Sequence, residues 1–563
     1  MLKLRIGFTS LPVKETMDAK IGRNERLELV RNCIDKIWSH LEGYIALVNT
    51  HGAEFITERH WDKFVPKPVQ DFLMTCSSED LVTLPMKGVS ASPGSDEKIL
   101  WLTAFIRQSH ELFLENLGVL TPVEDILTVP NCHTEEDYHE IVSESMSMKK
   151  YHEVGIMSDT VSALYKSCAA HVVIDFGSGK GYLSTDLARK HQIPVVGLDS
   201  SDNNTHSAQR RDARLAKRWN ILTKKKRKKT KSFTIGTDSP VIKNKELSCI
   251  KNKNAINYSK TCECESTSCE QCSETDICDL LAAQSLSNST GAAKVEDPAG
   301  TLPDAVTTSL YVPVTLFVDE DLRLQQLVQE TAAHLYQNNR CGTTSRFLLT
   351  GLHTCGSLAV TAMRLFLKDS SSQALCCVGC CYQLMEESGE LCDFPLSSYG
   401  QSLKLHLGRN ARNLASQSIQ RIQDSKQLQG HDFYWRALLN ILLTKLRIPV
   451  PSRIYGMRNL IKRSQSFHDY ARKSVEKLGL NSDVVTEELI RETEEEHKGV
   501  QHMMAAFFQL KLVLSPVIEA LILLDRLLYL LEQEKVRSAF LVKLFEPVTS
   551  PRCYAIISLK EDL

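Results

Sequence analysis

Residues 171–199, HVVIDFGSGKGYLSTDLARKHQIPVVGLD, decide the fold class of this 563-residue chain. The apolar run HVVIDFG ends in a glycine-rich turn, YLSTDLARKH has helical spacing, and IPVVGLD is a second apolar run. Two short apolar runs on either side of a helix are typical of buried parallel strands joined by a crossover helix. The stretch therefore predicts a strand–helix–strand unit of an α/β sheet.

The turn between the first strand and the helix has three glycines at alternate positions, Gly177, Gly179 and Gly181, and Asp175 precedes them. Glycines let the backbone approach a ligand closely, but the dinucleotide fingerprint has the different spacing Gly-x-Gly-x-x-Gly. The spacing found here favours a cofactor that has an amino-acid tail and no pyrophosphate, which predicts S-adenosyl-L-methionine. We expect the Asp175 carboxylate to bind the ammonium group of this cofactor, directly or through water.

A second acidic residue, Asp199, ends the next apolar run, 22 residues after Gly177. An acid at this strand end accepts hydrogen bonds from ribose hydroxyls. Adenine is then expected near the end of the third strand, beside Val318 or Asp319. The cofactor-binding set predicted from the sequence therefore combines the three glycines with Asp175, Asp199 and Asp319.

Further strand-like runs follow at 311–318, 346–352 and 374–379. Near the end of the chain, SAFLVKLF and CYAIISLK are joined by the proline-containing loop EPVTSPR, which predicts a hairpin. A dehydrogenase sheet is normally parallel throughout, whereas a methyltransferase sheet ends in a hairpin that adds one antiparallel strand. The sequence thus predicts an α/β fold with a Rossmann-like class I methyltransferase sheet and a terminal antiparallel hairpin.

The predicted methyltransferase domain is discontinuous and comprises 151–222, 306–384 and 537–563. Residues 1–150 and 385–536 have apolar residues at helical spacing. We interpret the first as a helical N-terminal region and the second as a helical insertion over the cleft that selects the substrate. Residues 223–305 are polar and poor in aromatics, which predicts a disordered insertion.

Four segments in combination, VVIDFGSGKGYLS, VVGLDSSDNNTHSAQRR, LLTGLHTCGSLA and CCVGCCYQLM, resemble the probable methyltransferase-like protein twenty-five family. The later segments NLASQS, DFYWRALL and FHDYARKSVEKLGL are similar to that family as well. The resemblance covers most of the chain. It implies a methyltransferase and leaves the substrate open.

In this fold the acceptor meets the methyl group beside the end of the fourth strand, which reads GLHTCG at 351–356. His353 is a candidate general base, because an unperturbed histidine titrates near neutral pH. The alternative is a histidine that orders the pocket by binding a loop. Cys355 is a candidate nucleophile or a small buried residue. Tyr382, after the fifth strand, is a candidate to stack on or bond the acceptor, or else to line the pocket.

The whole chain has a formal net charge of −1, so any attraction to nucleic acid has to be local. Its first residues contain no signal-peptide core, and the apolar stretch 510–531 is interrupted by charged residues and a proline, which favours a buried helix over a membrane span. We therefore expect an intracellular protein of the cytoplasm, the nucleus or both.

Two clusters lie in the polar insertion. Lys224–Lys229, KKKRKK, is interpreted as a nuclear-import signal, as a contact to an RNA backbone, or as a solvated tether. The cysteines at 262, 264, 269, 272 and 278 are spaced more closely than in a zinc ribbon, and those at 376, 377, 380, 381 and 392 are explained by a buried strand. No metal site is predicted.

The predicted function is methyl transfer from S-adenosyl-L-methionine to a macromolecule, with RNA favoured over protein because of the basic run. The alternative is a catalytically silent scaffold that binds the cofactor together with an RNA or protein partner. No other catalytic arrangement, such as a Walker loop or a Ser–His–Asp set, is found in the sequence.

Overall fold

The computed structural model describes residues 22–88, 99–128, 146–233, 309–335, 345–389, 392–426, 428, 431–448, 457–481 and 484–561. The side chains of 219–233, 431 and 457–458 lie outside this description. The chain divides into two compact units, one comprising 1–212 with 297–563 and the other 213–296. The first unit contains the sheet and the candidate site.

A seven-stranded sheet forms the centre of the first unit. Its strands are β1 (Val172–Phe176), β2 (Val195–Asp199), β3 (Tyr311–Thr315), β4 (Phe347–Cys355), β5 (Ser372–Cys380), β6 (Val536–Lys543) and β7 (Tyr554–Lys560). Their order is β3-β2-β1-β4-β5-β7-β6. The pairs among β1–β5 are parallel, whereas β7 is antiparallel to both β5 and β6. This arrangement confirms the predicted Rossmann-like methyltransferase sheet and its terminal hairpin.

Both faces of the sheet are covered by helices, which is why the central strands are apolar throughout. Along β1, Val172, Ile174 and Phe176 belong to the core on one face, and Val173 belongs to the core on the other. The second face also carries Asp175, a buried carboxylate that has to find a polar partner there.

The helices follow in chain order. They are α1 (Arg23–Leu41), α2 (Ile45–Val48), α3 (His60–Phe64), α4 (Lys67–Thr75), α5 (Ser78–Lys87), α6 (Leu100–Glu111), α7 (Val123–Ile126), α8 (Met148–Ser167), α9 (Tyr182–Lys190), α10 (Asp202–Phe233), α11 (Leu324–Ala332), α12 (Leu358–Lys368), α13 (Ser398–Ser402), α14 (Arg409–Ala415), α15 (Ile419–Ser425), α16 (His431–Lys445), α17 (Met457–Lys462), α18 (Phe467–Lys477), α19 (Glu487–Glu496), α20 (Val500–Val513) and α21 (Ser515–Leu531).

The N-terminal helices and those of the predicted insertion share one core. Helix α1 packs against α21, and Ile34 and Leu524 are both fully buried there. The N-terminal region also reaches the sheet, where the Thr121 amide donates to the Leu541 carbonyl of β6 at 2.9 Å. Described residues of 1–150 and 385–536 are thus helical, and they pack as parts of the same unit as the sheet.

The segment Val500–Leu531, which comprises α20 and α21, is long and apolar enough to cross a membrane by length and composition alone. Within its most apolar window, 83% of the residues are buried inside the protein. Asp525 is satisfied there by the amides of Leu396 and Ser397, at 2.6 and 3.0 Å. The segment is therefore packed as a core helix pair, as the sequence predicted for 510–531.

The helix after β2 is longer than predicted. Helix α10 continues to Phe233, past the predicted start of the insertion at 223, because Lys and Arg are good helix formers. It includes Lys224–Lys229, whose side chains are outside the described part of the structure. The cysteine cluster at 262–278 falls outside the described residues altogether.

Candidate active site

The glycine turn after β1 has a backbone that only glycine adopts easily. Gly177, Gly179 and Gly181 have φ values of +67°, +55° and +69°. Two hydrogen bonds fix the turn to β2. The amide of Ser178 donates to the Leu198 carbonyl, and the amide of Gly179 donates to the Asp199 carboxylate, both at 2.9 Å.

Two of these glycines have different surroundings. A Cβ on Gly181 would lie 2.6 Å from the Tyr311 hydroxyl and 3.0 Å from the Ala208 Cβ, so this glycine allows the helix and strands to pack closely. A Cβ on Gly179 would meet nothing nearer than 4.0 Å. The turn is therefore tight against the protein at Gly181 and open at Gly179, where a ligand has room to approach the backbone.

Asp175 is buried on the side of the sheet that α9 covers. Its Oδ2 accepts a hydrogen bond from the Ser184 hydroxyl at 2.6 Å. Burial raises the pKa of Asp175 to about 7; the Ser184 hydrogen bond opposes this shift, and the nearby Asp199 charge adds to it. A carboxyl group whose pKa lies near neutral pH is partly protonated at that pH. A cation that binds beside it favours the ionised form.

Asp199 lies at the end of β2 with both carboxylate oxygens engaged. Oδ2 accepts from the Gly179 amide, and Oδ1 accepts from the Ser201 amide and the Asn204 side chain at 2.9 and 3.0 Å. A carboxylate has about four acceptor positions, so Oδ2 retains capacity for a further donor. The structure thus brings Asp199 and Asp175 to the same carboxyl edge as the glycine turn.

The predicted adenine region lies in the loop after β3. β3 ends at Thr315, and Asp319 is exposed further along the loop, where its Oδ1 accepts from the Asp321 amide at 3.0 Å. The Leu316 amide donates to the Asp199 carbonyl at 2.8 Å and ties this loop to β2. The next residue, Phe317, is 76% exposed, which is unusual for an aromatic side chain. Sequence reasoning did not single out Phe317, although an aromatic at this strand end is a signal for base stacking.

His353 occupies a β-bulge at the end of β4. Leu352 pairs with Val378 and Thr354 with Gly379, so His353 is the extra residue between them. Its φ of +64° is in the left-handed region, which is uncommon for a residue with a side chain. Bulges of this kind re-aim a side chain and are frequent beside active sites.

The side chain of His353 faces Glu153, a residue of α8. Its Nε2 lies 3.0 Å from Oε2 of Glu153, whose other oxygen accepts from the Ser550 hydroxyl at 2.6 Å. Lys150 and Lys149 lie 3.5 and 3.6 Å from the same carboxylate. Burial would raise the pKa of Glu153, but the His353 hydrogen bond and the nearby positive charges outweigh it and hold that pKa well below its usual range. Glu153 is therefore an ionised carboxylate that orients the imidazole.

Sequence reasoning missed Glu153. Met157, Val161 and Leu164 form a buried apolar stripe on α8. Glu153 lies one turn before Met157 on the same face and is buried as well. A carboxylate on the buried stripe of a helix is uncommon unless it is paired. That position was the available signal, but its partner on β4 is visible only in three dimensions.

The interpretation of Tyr382 as an acceptor-binding residue is corrected by the structure. Its side chain is 1% exposed, and its hydroxyl donates to Glu519 at 2.9 Å. The guanidinium groups of Arg526 and Arg552 lie 5.6 and 5.8 Å from its ring centre. Tyr382 is a core residue, because the helical insertion supplies Glu519 and Arg526 to a buried polar cluster around it.

The cysteines at the ends of β4 and β5 lie together. Cys355 pairs in register with Cys380, and their sulfur atoms are 3.1 Å apart. Cys381 places its sulfur 3.7 Å from that of Cys380. Cys376 and Cys377 are buried within β5, as the sequence predicted. The grouping of the other three thiols was not predicted.

Comparison with known proteins agrees with the methyltransferase fold. A family model described as a methyltransferase domain matches residues 149–388, which include the glycine turn, Asp199 and the bulge at His353. The chain is 30% identical to the probable methyltransferase-like protein 25 of Mus musculus, over 96% of this chain and 98% of the mouse protein. It is 29% identical to the Homo sapiens protein of the same name, over 95% of this chain and 98% of the human protein.

Comparison with solved structures gave no significant match. The similarity to the mouse and human proteins extends over nearly the whole chain, including the N-terminal helices and the helical insertion. Together with the methyltransferase domain and the sheet order, this similarity shows that the chain belongs to the methyltransferase-like protein 25 family.

Proposed function

We propose that the protein transfers a methyl group from S-adenosyl-L-methionine to a macromolecule, RNA being favoured. The observation that carries the proposal is the glycine turn at the carboxyl edge of β1 and β2. There the Gly179 amide donates a hydrogen bond to Asp199, close to the buried Asp175. When bound, the cofactor supplies an electrophilic methyl group on a sulfonium.

The residues of the turn fit each part of that cofactor. The open space at Gly179 admits the methionine part, and Asp175 offers a carboxylate to its ammonium. Since Asp175 is only 1% exposed, we favour contact through water. The remaining capacity of Asp199 Oδ2 suits a ribose hydroxyl, and Phe317 offers a ring to adenine.

His353 is proposed as the general base. With the ionised Glu153 carboxylate 3.0 Å from Nε2, the proton-accepting nitrogen is Nδ1, which has no hydrogen-bond partner among the described residues. A hydroxyl or ring nitrogen would lose its proton to this atom as it is methylated. Nδ1 is covered by neighbouring side chains, so an acceptor reaches it only when that cover opens.

An RNA acceptor is supported by the charge of α10. Arg210, Arg214, Lys217 and Arg218 are exposed and follow one another at helical spacing, ahead of the Lys224–Lys229 run. Such a basic helix binds phosphate backbones in a salt-dependent manner.

The test uses the full chain with radiolabelled S-adenosyl-L-methionine and total RNA or total protein from cells that lack the gene. The expected result is label in RNA, sensitive to ribonuclease and lost in the His353→Ala variant. If the label appears only in the protein fraction, the acceptor is a protein and the RNA part of the proposal is wrong. Binding of cofactor without label in either fraction would instead support a catalytically silent scaffold, and His353→Ala would then leave partner binding unchanged.

A further inference from the structure

Three thiols from two strand ends meet beside the candidate acceptor site. The sulfur atoms of Cys355, Cys380 and Cys381 all lie within 4.8 Å of one another. Among the described residues, these three thiols are the one group of cysteine, histidine or carboxylate side chains close enough together to bind a single metal ion. Cys355 is half-buried, and the other two are buried.

The backbone at this point departs from regular strand geometry in a way that gathers the sulfurs. Neighbouring residues of a strand point to opposite faces, so Cys380 and Cys381 would normally diverge. Cys381 has a φ of +50°, in the left-handed region that residues with side chains seldom adopt. This conformation turns its sulfur back to within 3.7 Å of the Cys380 sulfur. Unusual backbone conformations of this kind cluster at binding and catalytic sites.

The distances suit a metal ion better than a disulfide. Sulfurs bound to one tetrahedral zinc at about 2.3 Å lie roughly 3.8 Å apart, close to the 3.7 Å between Cys380 and Cys381. The 3.1 Å between the Cys355 and Cys380 sulfurs has to widen by about 0.7 Å for such a site. A disulfide, with sulfurs about 2.05 Å apart, would use two of the three thiols and leave the third unexplained.

A buried positive charge next to the thiols provides a second, independent observation. Arg526 is 1% exposed, and its guanidinium occupies the space that a Cβ on Gly379, the neighbour of Cys380, would fill. Its Nη2 contacts the Met385 sulfur at 3.3 Å, its Nε has no hydrogen-bond partner among the described residues, and its guanidinium lies over the Tyr382 ring.

The buried guanidinium interacts electrostatically with the carboxylates of Asp393 and Asp525 and with the Cys380 thiol, whose charged form it favours. Three thiolates carry a net charge of −1 with a divalent ion and −2 with copper(I), and the positive charge beside them lowers the cost of burying either. Thiols bind a metal ion as thiolates, so metal binding releases their protons to solvent.

We propose that Cys355, Cys380 and Cys381 bind a thiophilic d10 metal ion, zinc or copper(I), through three thiolates. Because Cys355 is half-buried, a metal ion can reach its thiol from solvent. Three protein ligands leave a fourth position open on zinc, as in sites that bind a water or a substrate. The site lies two residues from His353, at the end of the same strand, and its existence does not depend on the proposed methyl donor.

The test is elemental analysis of the full chain, expressed with added zinc and purified without chelator. The variants Cys380→Ser and Cys355→Ser are compared with the wild type. Cys376→Ala, a buried cysteine of the same strand, serves as the matched control. A variant that combines Cys262→Ser, Cys264→Ser, Cys269→Ser, Cys272→Ser and Cys278→Ser accounts for metal held by the other cysteine cluster.

The proposal predicts a metal ion in the wild type that Cys380→Ser and Cys355→Ser reduce to less than about a tenth, while both control variants retain it. Titration of Co2+ into the metal-free protein should give thiolate-to-cobalt absorption that depends on the same residues, with circular dichroism showing that each variant is folded. Zinc or copper in the elemental analysis identifies the ion.

Several results would overturn the proposal. Metal absent from the folded wild type would do so, as would metal lost only with the cysteines at 262–278. Mass spectrometry of the alkylated, unreduced protein that shows a Cys355–Cys380 disulfide in place of metal would also contradict it.

Discussion

The half-buried imidazole of His353 and the buried carboxylate of Glu153 form a pair, with Nε2 and Oε2 3.0 Å apart. The pair joins the bulge of β4 to α8, the helix that precedes the glycine turn. It has the arrangement in which an acid holds a histidine in one tautomer and leaves the other ring nitrogen to accept a proton.

His353→Ala should therefore lower the methylation rate by about 100-fold or more, because the base is lost. Glu153→Gln should reduce the rate less, since the imidazole remains but is no longer oriented by a charge. Neither variant should change the Kd for S-adenosyl-L-methionine by more than a factor of about two, because neither residue touches the glycine turn. Initial rates with saturating cofactor and calorimetric Kd values check this.

Ser550→Ala is the matched control for that pair. It removes the hydrogen bond to the other oxygen of Glu153 and leaves the His353 contact in place. The free energy of unfolding should fall by about 1–3 kcal/mol, while the methylation rate changes little. A Ser550→Ala rate as low as that of Glu153→Gln would indicate that Glu153 acts only by stabilising the fold.

The two glycines Gly179 and Gly181 should respond differently to alanine. Both have positive φ, so each substitution costs about 1–2 kcal/mol of stability in backbone strain. Gly181→Ala should destabilise the protein further, because its Cβ meets Tyr311 and Ala208. Gly179→Ala has open space in the protein but fills the proposed cofactor site, so its larger effect should be on the cofactor Kd. Chemical denaturation and calorimetry on the same two variants separate these effects.

Cofactor binding should weaken as the pH falls through the pKa of Asp175. That pKa is raised to about 7, so the carboxylate that attracts the ammonium is fully present only above this pH. Below pH 7 the Kd should rise by up to about tenfold per pH unit, while the cofactor ammonium stays protonated. Calorimetry between pH 5.5 and 7.5, compared with Asp175→Asn, checks this.

Asp175→Asn should bind weakly and show a flat pH profile. Since the ionised Asp175 is destabilising without a ligand, the substitution should not lower the Tm of the cofactor-free protein at pH 8. A steep pH profile that persists in Asp175→Asn would assign the titration to another group.

Phe317→Ala should weaken cofactor binding by about fivefold, since an aromatic stacking contact contributes roughly 1 kcal/mol. Because Phe317 is exposed, the Tm should not change. Leu100→Ala, another exposed apolar residue on a different part of the protein, is the control and should leave the Kd unaltered. An unchanged Kd in Phe317→Ala would remove this residue from the adenine site.

The sheet and the cofactor edge could be predicted from the sequence because they rest on local patterns. The glycine turn, Asp175 and Asp199 follow directly from two short strands and the helix between them. The terminal hairpin was recognisable because both of its strands lie close together in the chain.

The acceptor side could not be predicted in the same way. Glu153 and His353 are brought together only by the packing of α8 on β4, and Cys355 meets Cys380 only through the register of two strands. Tyr382 was misjudged because the residues that bury it, Glu519 and Arg526, come from a distant helix.

The central claim is that the edge formed by β1 and β2 binds the methyl donor. Titration calorimetry of the full, folded chain with S-adenosyl-L-methionine and with its demethylated product tests this claim most directly. We predict saturable binding of both, lost in Asp199→Ala while the Tm of that variant shows a folded protein. Absence of heat from either ligand with intact wild-type protein would contradict the account.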